Sequence, residues 1–405
     1  MKKERVYLLF ISMMFGIVFN IGNPIVPIHT SNLLISTNIV GIILASTGLG
    51  LFLFSTFWGA IGDIKDRNKV IGIAFFGFSI GQFIFGLALN EFVLIGSALV
   101  SGLFAAGVLV NIYSYINDNF ENDYDRNKML SYAVSLTLAG ASFGYLIGGK
   151  LGVLFEDSIY YVFIIQAIIG LLVGVFIYFE KTNLIDTDHH LTRRHFYINM
   201  KQVFKLPWLP TATITLTFFI SFSHNNVKRY FDFYFLDSNY STSQLGFIIF
   251  VIGIVCLITN LFIAPLLLKR LHNLRILNIL FLFVPVLLFL SFYNGTTLLK
   301  FYTFFIFYHF FMAIYEPTAI SLMSKNRAVP QGILVGVRQS IVGLGMTIGL
   351  IVGGYLYEIN NLYVFYFAVL FYIIVFVGFT IISVILNKEI VEYNGGKRYD
   401  WNWTW

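Results

Sequence analysis

Two charges stand inside stretches that are otherwise apolar. Glu316 lies in FYHFFMAIYEPTAI (307–320), and Arg338 lies within 332–356. In a hydrocarbon environment an ionisable side chain costs at least about 2.5–3.5 kcal/mol, so each is a functional candidate. Both sit about six residues from the same end of their helices, roughly 9 Å deep. An isolated charge there would be neutralised instead, so equal depth on consecutive helices predicts a buried ion pair. Such a pair could be a static strut beside a gate, or a switch that responds to a proton or a substrate. His224, in SFSHNNVKRYFDF (221–233), is the second group that could exchange a proton, because histidine titrates near neutral pH. Glu316 and His224 are therefore the proton-carrier candidates. Further along the same stretch, Lys228 and Asp232 are four residues apart and could pair on one helix face. A snorkelling cluster at the membrane surface explains Lys228, Arg229 and Asp232 equally well.

The segments that hold these residues must cross a bilayer. The chain has 405 residues, 58% hydrophobic and 11% charged, with mean hydropathy +0.80. Soluble domains carry about 25% charged residues, so the polar surface that a soluble fold would need is missing. A span needs about 20 mostly apolar residues. Twelve are read, near 6–28, 38–62, 70–89, 92–116, 129–154, 159–180, 207–236, 244–268, 275–293, 298–322, 332–356 and 361–387. Their continuous apolar runs fit helices, not the alternating strands of a barrel. The opening MKKER looks like the start of a signal peptide, but no small-residue cleavage site follows, so an uncleaved first helix is expected.

Charge sets the expected orientation. With the N-terminus inside, 21 of the 26 Lys and Arg fall on the cytoplasmic side, which supports an even helix count and two cytoplasmic termini. The net charge of +6 then reads as topology, not as a nucleic-acid surface. The lone Cys256 excludes an internal disulfide and a cysteine-based metal cluster. No phosphate-binding loop, metal-ligand set or nucleophile constellation is present, so no enzyme, metal or cofactor is expected.

The chain repeats itself at long range. GASFGYLIGG (140–149) and GMTIGLIVGG (345–354) share one glycine spacing: Gly140, Gly144, Gly148 and Gly149, then Gly345, Gly349, Gly353 and Gly354. The copies are 205 positions apart, on the fifth and eleventh spans. Glycine every fourth residue leaves a flat strip that lets another helix approach closely in lipid. The longest polar interruption, 181–206, lies between the copies. Its His189, His190 and His195 could bind a metal, although a solvated linker at the membrane surface accounts for them more simply. The expected organisation is an N-terminal six-helix bundle (1–180), a cytoplasmic linker (181–206), a C-terminal six-helix bundle (207–387) and a cytoplasmic tail (388–405). Parallel halves of this kind are related by an axis along the membrane normal. The tail ends in WNWTW, whose tryptophans could anchor at the interface. It could equally be a disordered end.

These motifs resemble those of the major facilitator superfamily. The glycine strip is similar to the antiporter signature G-x-x-x-G-P-x-x-G-G, with Tyr145 at the proline position. GAIGDIKDRNKV (59–70) resembles the loop signature after the second helix through Gly59, Asp63, Arg67 and Lys69. Ile64, Asp66 and Asn68 depart from it. LIGSALVSGLFAA (94–106) resembles the helix-4 exporter pattern at Leu94, Gly102, Ala105 and Ala106, with Ala98 at its arginine and Ser101 at its glutamine. PIVP (24–27) is similar to the end of helix 1 in twelve-helix exporters.

The resemblance implies an all-α membrane protein with twelve transmembrane helices in two pseudo-symmetric six-helix bundles. It implies that helices 1, 4, 7 and 10 line a central cavity, which would place Asn20, Asn23, Asn111, His224, Asn225, His309 and Glu316 there, among Tyr113, Tyr115, Tyr308 and Tyr315. It implies a gate at Gly59, Asp63, Arg67 and Lys69, which Arg338 would join. An aromatic, weakly charged lining suits an amphipathic solute, cations included. The expected function is alternating-access secondary transport: proton-coupled export of a small amphipathic compound, by a monomer in the cell membrane. An uncoupled or differently coupled carrier for a metabolite or lipid-like molecule stays open. So does a receptor of the same fold that does not transport, because the helix-4 arginine is missing.

Overall fold

The computed structural model describes residues 2–62, 65–119, 123–180, 208–294, 297–324 and 331–393. The linker histidines, Asp63 and the tryptophan-rich tail lie outside the described residues. Among the described residues every regular element is a helix. The first six are α1 (Lys2–Asn20, continued by a 3₁₀ turn Asn23–Ile25 and Val26–Asn32), α2 (Thr37–Gly62), α3 (Arg67–Gly86), α4 (Glu91–Asn119), α5 (Asp123–Leu154) and α6 (Tyr160–Phe179). The second six are α7 (Trp208–Asp237), α8 (Thr242–Ile258, Thr259–Ile263, Ala264–Arg270), α9 (Asn273–Phe292), α10 (Leu298–Lys300, Phe301–Phe305, Ile306–Ser324), α11 (Gln331–Ile359) and α12 (Tyr363–Tyr393).

Eleven of these are long and apolar enough to cross a membrane. The twelfth, α7, has 30 residues, but Lys228, Arg229, Asp232 and Asp237 crowd its last third. In lipid every backbone polar group must be satisfied within the segment, which makes the helix the default for each run. Departures from helix have local causes. Pro24 offers no N–H and its ring would crowd the preceding turn, so α1 breaks just before it. There the Asn20 side chain donates to the Gly16 carbonyl at 2.8 Å. In α8 a π turn at Thr259–Ile263 precedes Pro265. Asp66 starts α3 by accepting from the Asn68 backbone N–H at 3.0 Å. Pro317 lies inside α10 without ending it.

By contacts the chain forms two compact units. One holds Met1–His190, Asn225–Leu257 and Met346–Val364; the other holds Leu191–His224, Ile258–Gly345 and Phe365–Trp405. This division does not follow the two sequence halves, because the ends of α7, α8 and α11 pack with the first six helices. In the first unit α1 packs on α5, α2 on α4, and α3 on both α4 and α6. Its core gathers Leu8, Ile11, Phe15, Ile71, Phe75, Ala105, Val108 and Ile112, with Tyr113 at the edge. The second unit centres on rings: Phe292 stacks on Phe365 at 3.7 Å, and Phe281 on Phe379 at 5.6 Å. Leu171, Leu172 and Phe176 of α6 and Ile373, Val377 and Ile381 of α12 are exposed, as a lipid-facing surface requires.

Candidate functional site

The glycine strips sort by partner. A Cβ on Gly140, Gly144 or Gly148 would run into backbone carbonyls of α1 at Met13, Ile17 and Ile21. One on Gly149 would meet the Thr242 carbonyl and Gly246 Cα of α8. The eleventh helix repeats the scheme. Gly345 lies against Phe218 and Ser221 of α7, Gly353 against Asn226 and Tyr230, and Gly354 against Thr37 and Asn38 of α2. A shift of 205 positions carries one set onto the other, taking Met13 to Phe218, Ile21 to Asn226, Thr37 to Thr242 and Gly41 to Gly246. Gly41 would meet the Leu350 carbonyl as Gly246 would meet that of Tyr145, and these residues too are 205 apart. The α5–α8 and α2–α11 crossings are thus two copies of one contact, both inside the first unit. Small residues bring the backbones together where lipid offers no hydrophobic drive.

Polar groups break the symmetry. Tyr145, at the position where the antiporter signature has proline, is buried, and its hydroxyl donates to Asp232 Oδ2 at 2.9 Å. Asp232 is only 2% exposed, so it does not snorkel, and it takes this bond from Tyr145 instead of pairing with Lys228. Arg229 lies within electrostatic reach of both Tyr145 and Asp232. It also lines a small cavity of about 40 Å³ among α1, α2, α3, α4 and α6. Asn23, Gln82, Ser101 and Ala98 share that wall with the rings of Phe19, Phe78, Phe85 and Phe163. Gln82 Nε2 donates to Ser101 Oγ at 2.9 Å, and Asn23 Nδ2 donates to Asn20 Oδ1 at 2.7 Å.

Asn111 is elsewhere. It is buried between α2 and α4, donating to the Gly107 carbonyl at 2.7 Å and the Trp58 carbonyl at 3.4 Å. Asn225 belongs to the first unit. Of the gate residues, Arg67 is buried with its guanidinium 6.0 Å from the Tyr115 ring, and its Nε donates to the Gly62 carbonyl at 3.4 Å. Gly59 approaches the Val110 side chain, and Lys69 pairs with Asp66 at 3.8 Å on the surface.

In the second unit Arg338 clamps Glu316 with both arms. Nη1 donates to Oε1 at 2.7 Å and Nη2 to Oε2 at 2.5 Å. The partners differ in exposure: the Arg338 side chain is 4% exposed and that of Glu316 is 49% exposed. Tyr315 lies under the guanidinium at 6.0 Å and shares a hydrogen bond with Thr217 at 3.1 Å. One helical turn or two away, His224 Nδ1 meets the Tyr308 hydroxyl at 3.2 Å, and Tyr308 meets the Tyr372 hydroxyl at 2.7 Å. His309 stands 5.9 Å from His224, ring to ring. The expected cavity residues therefore fall into separate groups: Asn20 with Asn23, His224 with His309, and Glu316 with Arg338. Tyr308, Tyr315 and Tyr115 are buried participants in packing.

Sequence reasoning missed Tyr145, Tyr372 and Gln82 as polar partners. Tyr145 did carry a signal, since a phenol in a glycine strip needs an acceptor once buried. Tyr372 and Gln82 gave none, being one aromatic and one amide among many.

The sequence profile of the Major Facilitator Superfamily matches residues 8–331. The chain is 24% identical to Multidrug resistance protein 2 of Bacillus subtilis over 391 residues, covering 94% of this chain and 96% of that one. It is 23% identical to the quinolone resistance protein NorA of Staphylococcus aureus over 341 residues, covering 83% and 85%. Among solved structures, a bacterial homologue of the human lysosomal transporter Spinster superposes with a TM-score of 0.74 at 14% identity, covering 94% of this chain and 96% of that one. A D-xylose-proton symporter gives 0.74 at 14% identity, covering 93% and 96%. With twelve long helices among the described residues and its internal repeat, this chain belongs to the major facilitator superfamily of membrane transporters.

Proposed function

We propose that this chain works by alternating access and exports a small amphipathic compound from the cytoplasm in exchange for protons. The observation that carries the reading is the Glu316–Arg338 pair. A carboxylate that is 49% exposed is held by a guanidinium that is 4% exposed. Protonating Glu316 removes a charge and a lone pair from the clamp, and the buried Arg338 must then find another partner. Proton uptake thus changes the charge balance inside α10 and α11, a local event that can bias a two-state element. His224 is the second carrier candidate, through its contact with Tyr308.

The moving bodies are the sequence halves 1–180 and 207–387, joined by 181–206, with both termini and the tail 388–405 in the cytoplasm and the protein a monomer. The duplicated glycine crossings support such a motion, because they join the halves through bare backbone. The names of the relatives, quinolone resistance and multidrug resistance, support export of small foreign compounds. Gly59, Asp63, Arg67 and Lys69 form the cytoplasmic gate.

Inverted vesicles with a pH-sensitive dye inside test the reading. Adding amphiphilic compounds should release protons from the lumen in the wild type. Glu316→Gln should abolish that release, and His224→Ala should keep it. Labelled-solute flux without proton movement would establish an uncoupled carrier instead. Absence of flux from the folded protein across the compound panel would favour a receptor that does not transport.

A further inference from the structure

Helices α9 and α12 meet in the second unit along a seam whose far side is open to lipid. On α9 the exposed residues Arg275, Ile279, Leu282 and Val286 form one stripe at helical spacing, with the cation at its end. On α12 the exposed stripe is Val377, Ile381 and Val384, and Thr380 interrupts it with a hydroxyl. That hydroxyl donates to the Phe376 carbonyl at 2.9 Å and lies 3.5 Å from Asn278 Oδ1. Asn278 Nδ2 donates to Ser383 Oγ at 2.8 Å. An amide nitrogen carries two hydrogens, so a second one is left for an oxygen supplied from outside. Hydrocarbon has no such oxygen, but the ester and phosphate groups of a phospholipid do. Depth orders these groups. Asn278 lies about 7.5 Å along α9 from its first residue, Asn273, and Arg275 lies one turn nearer that end on the same face. Lys269 and Arg270, both exposed, end α8 just before α9 begins. The sequence holds no Asp or Glu between Asp237 and Glu316, and Glu316 is taken by Arg338. Among the described residues no carboxylate pairs with these three cations. A basic loop by itself sets topology; polar groups in line with it, one turn deeper, add a receptor for a particular shape.

We propose that the α9–α12 seam holds an anionic phospholipid, its phosphate drawn by Arg275, Lys269 and Arg270, an ester oxygen on the Asn278 amide, and an acyl chain along Leu282 and Val377. Cation, polar group and apolar stripe follow one another in the order phosphate, ester and chain of such a lipid. Basic pockets between membrane helices recognise anionic headgroups in this way. The partner is a component of the bilayer, and the site needs neither the proton chemistry of Glu316 nor a transported solute, so the two readings fail separately.

The test uses the full-length protein in an uncharged detergent, titrated with phosphatidylglycerol or with phosphatidylcholine of the same acyl chains. Native mass spectrometry counts the lipids bound. The first phosphatidylglycerol should bind about tenfold or more tighter than phosphatidylcholine, as expected for several cations near one headgroup. Arg275→Gln should weaken phosphatidylglycerol about fivefold, the share of a single cation, and leave phosphatidylcholine unchanged. Arg275→Lys should keep most of the preference. Asn278→Leu should weaken both lipids alike, because both carry the same ester oxygens. Lys150→Gln, at an exposed cation of α5 in the other unit, is the control and should change neither. Phosphatidylglycerol with a photoreactive acyl chain should crosslink to α9 and α12. Equal affinity for the two lipids would overturn the assignment. So would a loss from Lys150→Gln as large as that from Arg275→Gln, which would mean that any surface cation serves. Crosslinks confined to other helices would overturn it as well.

Discussion

The Tyr145 hydroxyl donates to Asp232 at 2.9 Å, and the bond joins helices that lie on opposite sides of the polar linker in sequence. The duplicated contact pattern makes this bond one-sided. A shift of 205 positions takes Tyr145 to Leu350, and a reverse shift takes Asp232 to Pro27; neither counterpart has a polar side chain. The geometry is shared between the halves, but this polar latch has no polar side chain at either related position.

Tyr145→Phe should therefore destabilise the protein, because Asp232 stays buried and loses its donor. Hydrogen bonds between membrane helices are worth about 0.6 kcal/mol on average and up to about 1.7. A double-mutant cycle with Asp232→Asn, read by unfolding in detergent, should give a coupling energy of about 1 kcal/mol. Strict additivity of the two substitutions would mean that the bond contributes nothing.

Glycine substitutions should sort by what a methyl would meet. At Gly149 it collides with the Thr242 carbonyl, a backbone atom that cannot yield without separating α5 from α8. Gly354→Ala meets the Thr37 carbonyl at 2.8 Å and should act in the same direction. Each should cost about 1–3 kcal/mol, the usual range for overpacking. At Gly96 nothing lies within 4 Å, so Gly96→Ala should be neutral or stabilising by up to about 1 kcal/mol through helix propensity. Melting temperatures of the three variants, side by side, decide the matter; a uniform loss would contradict the assignment of the crossings.

The unequal exposure of the ion pair predicts an unequal response. Glu316→Gln leaves the Arg338 charge buried and uncompensated. Arg338→Met leaves a carboxylate that is half exposed. Breaking a buried pair costs about 3–5 kcal/mol. The exposed side of this one brings Glu316→Gln to the low end of that range, and Arg338→Met below it. The double variant Glu316→Gln/Arg338→Met should recover stability relative to Glu316→Gln without recovering proton release. Equal losses from the two single substitutions would count against the clamp as described.

Tyr372→Phe removes the 2.7 Å partner of Tyr308, a side chain with no exposure at all. His224 remains at 3.2 Å, so the loss should be partial, about 1 kcal/mol. Tyr363→Phe, at a residue that is 47% exposed, is the control and should be silent in the same thermal assay.

The helices were legible in the sequence because each apolar run is long, and lipid permits no other spanning structure for it. Orientation of the strips was legible in part. The period of Gly140, Gly144 and Gly148 marks one face, but the adjacent Gly149 turns to a different helix, and spacing alone does not say which. Glu316 and Arg338 could be matched by depth, since helix rise converts residue counts into ångströms. Asp232 could not be assigned in that way. The sequence offered Lys228 on its own helix, one turn away, and the fold supplied Tyr145 from a helix some 90 residues earlier. The π turn at Phe301–Phe305 was also hidden, because no proline in or just after it marks it in the sequence. The cavity beside Arg229 is the clearest such case: its walls come from six helices, and no short motif spans them.

The paired crossings also bear on speed. At Gly41 with Gly354, and at Gly246 with Gly149, the nearest contacts are main chain, fastened by the Thr242 hydroxyl on the Gly149 carbonyl and by the Tyr230 hydroxyl on the Leu350 carbonyl. In the proposed alternating access, such surfaces would part and rejoin with few side chains to re-sort, so little conformational entropy would be gained or lost on either stroke. The rate of a conformational cycle would then be set by the few polar fastenings laid over them, Tyr145 with Asp232 foremost, and a single hydroxyl becomes the natural place to tune turnover without touching the frame.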